Sequence, residues 1–147
     1  MYSNEYVIRA PATDTEWEAY YDLRYRILRE PLLKPRGSEK NERDATGIHF
    51  ALFSEGRILA IGRLDQAEPG VAQARFVAVE SDQQGNGLGR IVMNVIEECA
   101  RARGNYSIVL HARDYALPFY EKLGYKIVEK SHLLFGVLQH YFMQKQL

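Results

Sequence analysis

The chain predicts a mixed α/β domain, an α+β sheet in which mostly antiparallel strands are flanked by helices. Three observations carry this expectation. First, Leu88, Ile91, Val92, Val95, Ile96 and Cys99 recur at the spacing of one buried helix stripe. Second, the apolar runs Ile48–Phe53, Ile58–Leu64 and Val71–Val79 are separated by the turns Glu55-Gly56 and Glu68-Pro69-Gly70, the pattern of an antiparallel meander. Third, 147 residues with 46% hydrophobic and 26% charged side chains suit one folded domain, residues 1–147.

The elements follow in order. Glu5–Arg9 reads as a short first strand. Thr13 and Asp14 offer N-cap oxygens, Glu16 and Glu18 sit in the first turn, and Arg24, Arg26 and Arg29 lie toward the end, which suits the helix dipole. Trp17, Tyr20, Tyr21, Leu23, Ile27 and Leu28 then make residues 14–30 an amphipathic helix, stopped by Pro31 and Pro35. Residues 31–47 are polar and read as a long loop, either functional or a plain crossover. After the meander comes the stripe helix, with Arg90, Asn94, Glu97 and Arg101 on its wet side, Glu97 and Arg101 forming a pair, and Gly104 as the stop. Tyr106–Ala112 returns as a strand and Tyr115–Leu123 as a short helix ended by Gly124. Tyr125–Val128 and Leu133–Met143 close as strands, giving the order β-α-β-β-β-α-β-α-β-β.

Composition excludes several functions. With 19 Lys+Arg against 19 Asp+Glu, no strong electrostatic grip on nucleic acid is expected. The single cysteine, Cys99, rules out an intrachain disulfide and fits the apolar stripe as core filling. Met1–Arg9 shows no leader pattern and no apolar run reaches membrane-spanning length, so a cytoplasmic protein without membrane attachment is expected. His132 and His140, placed on one strand, would lie ~26 Å apart at ~3.3 Å per residue, too far for one metal ion. No metal is expected. His49, His132 and His140 need no special role, and a core or interface position suits His140.

The informative segment runs from Val77 to Arg90 and joins a strand to the start of the stripe helix. Gly85, Gly87 and Gly89 let the backbone approach a ligand, and the first free N–H groups of the helix point into that space. The dipole favours an anion there, a phosphate or diphosphate, with Arg90 adding a cation. A glycine-rich turn holding nothing is the plain alternative. A P-loop would need Lys-Ser/Thr where Arg90-Ile91 stands, and the dinucleotide fingerprint needs a GxGxxG spacing that is absent here.

The pattern Gln84-x-x-Gly87-x-Gly89 after Val77-Ala-Val79 resembles the signature of the GNAT family of N-acetyltransferases. Ala116-Leu-Pro-Phe119-Tyr120-Glu-Lys-Leu-Gly124-Tyr125 resembles that family's second block at the expected distance. The resemblance is sharpest from Val71 to Tyr125. It implies a sheet whose middle strands splay and hold acetyl-CoA as co-substrate. It further implies pantetheine contacts from the backbone of Val77 and Val79. The diphosphate would be held by amides of Gln84, Gly85, Asn86, Gly87, Leu88, Gly89 and Arg90. An acetyl group would pass to a primary amine of a small molecule or peptide, by direct attack with both substrates bound. Closing strands of the family can also pair two copies into a homodimer.

Tyr120 matches the tyrosine that protonates the departing thiolate, a task suited to a phenol of pKa ~10; one more buried aromatic is the alternative. Some relatives carry a glutamate base where Gln73 stands, and an amide cannot take the proton. Alternation puts Gln73, Arg75, Val77 and Val79 on one face, where Gln73 and Arg75 could meet the acceptor substrate. Arg75 serves equally as a carboxylate clamp or as partner to a neighbouring acid. His111 and Arg113 share a face of the next strand. His111 is either a proton relay or a structural histidine. Arg113 replaces a common asparagine and would reach cofactor or substrate. The competing class is a non-catalytic acyl-CoA-binding module that keeps the glycine turn.

Overall fold

The computed structural model describes residues 5–147. In chain order the elements are β1 (Val7–Arg9), α1 (Asp14–Leu28), β2 (Ile48–Ser54), β3 (Arg57–Glu68), β4 (Val71–Val79), α2 (Leu88–Ala102), β5 (Ser107–Arg113), α3 (Leu117–Lys122), β6 (Lys126–Leu134) and β7 (Leu138–Gln146). This is the expected order. The strands form one seven-stranded sheet in the order β1-β2-β3-β4-β5-β7-β6, antiparallel throughout except where β4 meets β5. The N-terminal expectation of no leader concerns a stretch whose residues 1–4 lie outside the described part.

Local chemistry accounts for the boundaries. Thr13 caps α1 by accepting from the Glu16 N–H at 3.1 Å, and Glu16 in turn accepts from the Ala12 N–H. Glu55 and Gly56 both adopt positive φ, the two-residue turn whose twist suits the β2–β3 hairpin. The polar stretch after α1 forms two single turns of 3-10 helix, Glu30–Leu32 and Glu42–Ala45. It is pinned to the sheet by a buried network. Arg24 donates to Asp44 and to the Glu39 carbonyl, and Arg63 donates to Asn41, Asp44 and Asp65.

Two cores lie on opposite faces of the sheet. On one, Leu88, Val92, Met93 and Ile96 of α2 pack on Leu64, Ala72, Ala74, Ile108 and Leu110. On the other, Tyr20, Leu23 and Leu28 of α1 pack on Ala51, Phe53, Ile61 and Ala78. His49 belongs to this second side as a structural group. Its Nε2 faces the Asp44 carbonyl at 2.8 Å, so that nitrogen carries the proton and Nδ1 accepts from the Tyr20 hydroxyl at 2.8 Å.

Three expectations need correction. The buried stripe of α2 is rotated from the apolar reading, because Glu97 is buried with 3% exposure. It accepts from the Tyr125 hydroxyl and the Lys145 ammonium, each at 2.8 Å, and the expected i,i+4 pair with Arg101 also forms, more loosely, at 3.9 Å. Cys99 is only partly buried against the same core. The closing run 133–143 is not one strand. Phe135 and Gly136 take positive φ and make a tight turn between β6 and β7, closed by the Val137 N–H donating to the Leu134 carbonyl. The third correction concerns β4. Between Ile61 and Arg63 of β3 the pairing partner jumps from Ala78 to Arg75, so β4 carries an extra residue. Phe76 sits at this bulge with φ 54. The bulge reverses the alternation: Ala72, Ala74, Val77 and Val79 face α2, while Phe76 and Ala78 face α1. Gln73 and Arg75, alternating with Ala72 and Ala74, lie on the α1 face and not beside Val77 and Val79.

Candidate active site

The central cleft originates in a mismatch of two strands. β4 pairs with β5 only over Val71–Gln73 with Ser107–Val109, after which neither strand meets the other. Beyond Gln73 they splay, and the sheet opens. A cleft of about 540 Å³ fills the opening and continues onto both faces. Its α2-side arm is lined by Val77, Val79, Gln84, Gly85, Gly87 and Gly89, and its α1-side arm by Arg29, Arg75, Phe76, Arg113, His132 and His140.

The α2-side arm is built from main chain. Gly85 and Gly87 have φ of 87° and 80°, a conformation that disfavours side chains, and a Cβ at either would point into open space. Gly87 is the N-cap of α2 without a side-chain cap. Among the described residues, the main-chain N–H groups from Gln84 to Arg90 have no protein acceptor, whereas the Gln83 N–H donates to the Glu80 carbonyl and the Ile91 N–H to the Gly87 carbonyl. A run of unpaired donors at the positive end of a helix fits a diphosphate. Gln84 has a second use: its Nε2 donates to the Val79 carbonyl at 3.1 Å, tying the loop to the strand end. Gly89 is packed, and a Cβ there would come within 3.1 Å of the Phe119 ring. Neither Asn86 nor Arg90 lines the cleft itself: Asn86 lines a separate surface hollow and Arg90 is exposed on the first turn of α2.

Tyr120 stands where the arms meet. It is buried on α3, edge-on to Phe119 and Tyr125 with centroids 4.9 Å and 5.7 Å away, and it lines the cleft. Its hydroxyl makes no hydrogen bond to the described protein. Burial pushes the phenol above its usual range, with the Arg113 charge opposing, so it holds its proton at neutral pH.

The α1-side arm is built from side chains brought together over long distances. Arg113 reaches back from β5 to donate to the Leu28 carbonyl at 2.8 Å and to the Tyr115 hydroxyl at 3.2 Å. Arg29 donates to the Ser38 and Leu28 carbonyls. Arg75 takes no hydrogen-bond partner among the described residues and lies over Phe76 at 5.0 Å. Burial holds the Arg29 guanidinium down to about 10, helped by Arg113 and Arg75, and burial likewise lowers Arg75, next to Arg63. Both remain cationic at neutral pH.

The histidines are the largest departure from the linear reading. Because the chain turns at Phe135-Gly136, His132 and His140 stack with centroids 4.3 Å apart, and His111 lies 5.2 Å from His132. All three titrate below the usual histidine value, chiefly through burial. His140 is held lowest, at about 4, with His132, Arg113 and His111 adding to the effect of burial. Its Nδ1 lies 3.1 Å from the Leu138 carbonyl and therefore carries the proton. His111 opens on the cleft beside Arg75, and among the described residues no His/Cys/Asp/Glu cluster suits a metal ion. The sequence reading missed Arg29, Phe76 and His132 as lining groups; Gly136, a residue suited to a left-handed turn, was the available sign that folds His132 onto His140.

A sheet opened between parallel neighbours, with unpaired amides at the following helix, defines an acyl-group transferase of the GNAT architecture. Residues 13–125 match the Acetyltransferase (GNAT) family, and the chain belongs to that family of acetyl-CoA-dependent acetyltransferases. The uncharacterized N-acetyltransferase YjcF of Bacillus subtilis (strain 168) is 24% identical over 128 residues, 87% of this chain and 90% of its own. The solved acyl-CoA N-acyltransferase from Pseudomonas aeruginosa shares the fold with a TM-score of 0.80 at 22% identity, covering 97% of this chain and 99% of that one. A solved aminoglycoside 6'-N-acetyltransferase complexed with coenzyme A is equally similar in fold, with a TM-score of 0.80 at 19% identity over 95% and 96% of the two chains. No helix among the described residues is long and apolar enough to cross a membrane.

Proposed function

We propose that this acetyltransferase moves the acetyl group of acetyl-CoA to a primary amine of a small molecule or peptide, by direct attack with both substrates bound. One observation carries the reading: the unpaired amides of Gln84–Arg90 and the unpartnered Tyr120 hydroxyl open on the same cleft, one at an anion site and one at the junction of the arms. The co-substrate supplies an activated acetyl group as a thioester.

The protein's part is to hold and to move protons. Main-chain N–H groups of residues 84–90 bind the diphosphate, and Val77 and Val79 border the pantetheine arm. The amine nitrogen forms its bond to the acetyl carbon as the carbon–sulfur bond breaks. Tyr120 gives its proton to the sulfur and recovers one from solvent. The proton lost by the amine passes to His111, which faces the cleft as a neutral base, directly or through water. Arg113 and Arg75 border the acceptor, with Gln73 at the apex of the splay.

Two measurements test this. Calorimetry with coenzyme A reads the cradle, and thiol release from acetyl-CoA with primary amines reads transfer. Binding with thiol release that depends on added amine is expected. Binding with no release for any amine makes the chain a binding module, and the absence of binding removes the cradle.

A further inference from the structure

The acceptor side of the cleft has an unusual charge balance. Its charged lining consists of Arg29, Arg75 and Arg113, and among the described residues no aspartate or glutamate lines any part of the cleft. The nearby carboxylates bond elsewhere, and only at longer range does Glu39 act on Arg29, and Asp65 and Glu42 on Arg75. Asp44 takes Arg24 and Arg63, Asp65 takes Arg63 in a two-point pair, and Glu39 accepts from the Gly37 N–H. Glu42 is exposed on the loop, as is Arg43. Among the described residues, the bonds that Arg29 and Arg113 make run to carbonyl and hydroxyl oxygens, and Arg75 makes none. Half-buried guanidinium groups without a counter-ion are costly unless something supplies the missing charge.

Position matters as much as charge. Arg75 lies across the strand from the cradle, because the Phe76 bulge turns it to the α1 face while Val77 and Val79 face α2. These arginines therefore form a second anion site, separated from the diphosphate site by the thickness of the sheet.

We propose that the acceptor is a small amine bearing its own oxyanion, a carboxylate or a phosphate, which the Arg75 fork grips with Arg29 and Arg113 alongside. This rests on the acetyltransferase reading and names the class of its acceptor. A guanidinium offers paired N–H donors that match two oxygens of either group. Polycationic amines are repelled by the same wall. The wall also favours chemistry. Fixed positive charges beside the bound amine disfavour its ammonium form, so more of the nucleophile is free base at neutral pH. That offsets the lack of a carboxylate base at Gln73.

The test compares matched pairs in the thiol-release assay with the full chain: amino acids against their methyl esters, phosphoethanolamine against ethanolamine, and spermidine as polycation. A charge-assisted contact is worth enough that the anionic member of at least one pair should exceed its neutral counterpart by about ten-fold or more in kcat/KM. The pair that shows it identifies carboxylate or phosphate as the source. Arg75→Gln should bring that ratio toward one while calorimetry gives coenzyme A affinity within about two-fold of the parent, about 0.4 kcal/mol. Equal or better use of the uncharged member in both pairs, or a preference for spermidine, overturns the proposal, on the unaltered protein and without any variant. So does a ratio that survives Arg75→Gln. Failure of every amine despite coenzyme A binding instead removes the transferase reading beneath it, and the two failures are distinct.

Discussion

The two arms of the cleft are assembled by different means. The α2-side arm is almost one continuous stretch of chain, Gln84–Gly89 with two strand residues, and it works through main-chain N–H groups. The α1-side arm draws Arg29 from the end of α1, Arg75 from β4, Arg113 from β5, His132 from β6 and His140 from β7, and it works through side chains. A main-chain site needs only glycines at fixed spacing, so many sequences around it are allowed. A side-chain site depends on the register of five elements, so one bulge or one turn relocates its members.

The largest break in this contrast should come at the junction. Tyr120→Phe removes the hydroxyl and little else, since that oxygen makes no hydrogen bond within the described protein. A general acid contributes about 10²–10⁴-fold, so kcat should fall at least about 100-fold while coenzyme A affinity holds. Full turnover at neutral and alkaline pH would place the acid elsewhere.

Next comes the glycine arm by itself. Gly87→Val meets no atom with its Cβ, yet it must hold a branched side chain at φ 80°. The backbone will relax away from that angle and misdirect the amides. Loss of one or two charge-assisted hydrogen bonds predicts an affinity loss of about 10- to 100-fold for coenzyme A by calorimetry. Any acid-over-ester preference that remains measurable should be intact. Unchanged affinity would show that the cradle does not lie there.

A smaller effect, confined to stability, belongs to Glu97. Truncation by Glu97→Ala leaves the buried Tyr125 hydroxyl and the Lys145 ammonium without their acceptor. The expected loss is about 2–3 kcal/mol in denaturant unfolding. Neither cofactor affinity nor acceptor preference should move, because Glu97 sits two turns along α2 from Gly89 and lines no part of the cleft. A loss under about 0.5 kcal/mol would mean that the pair contributes no more than a surface one.

Glu97 also marks how far the sequence could be read. The element order and the glycine turn before α2 were legible because each depends on local spacing: apolar period, turn residues, and glycines before a helix; the splayed centre came only with the family resemblance. Glu97 was assigned to solvent because a carboxylate on a helix usually is. Its burial depends on Tyr125 and Lys145, both distant in sequence. Arg75 was assigned to the face of Val77 by strict alternation, which holds only without an extra residue; Phe76, an aromatic in the left-handed region, gave no local warning. His132 and His140 were separated by counting along one strand. Two residues in the positive-φ region folded that distance to a 4.3 Å stack.

That stack supplies the finest test. His140 is buried and held at about 4, while in the unfolded chain it titrates near 6.5. As pH falls below about 6.5 the unfolded chain takes up the proton first, so stability from this group is full above that value and declines toward pH 4. His140→Gln keeps a donor for the Leu138 carbonyl and removes the titration. His111 and His132, also shifted down, remain in the variant, so the acid slope should shrink by one group and not vanish. The measurement is the drop in Tm between pH 8 and pH 5, larger in the parent than in the variant. Equal drops would mean that His140 is free to protonate in the folded protein. The α1-side arm would then gain positive charge in mild acid, and its preference for anionic acceptors should sharpen as pH falls.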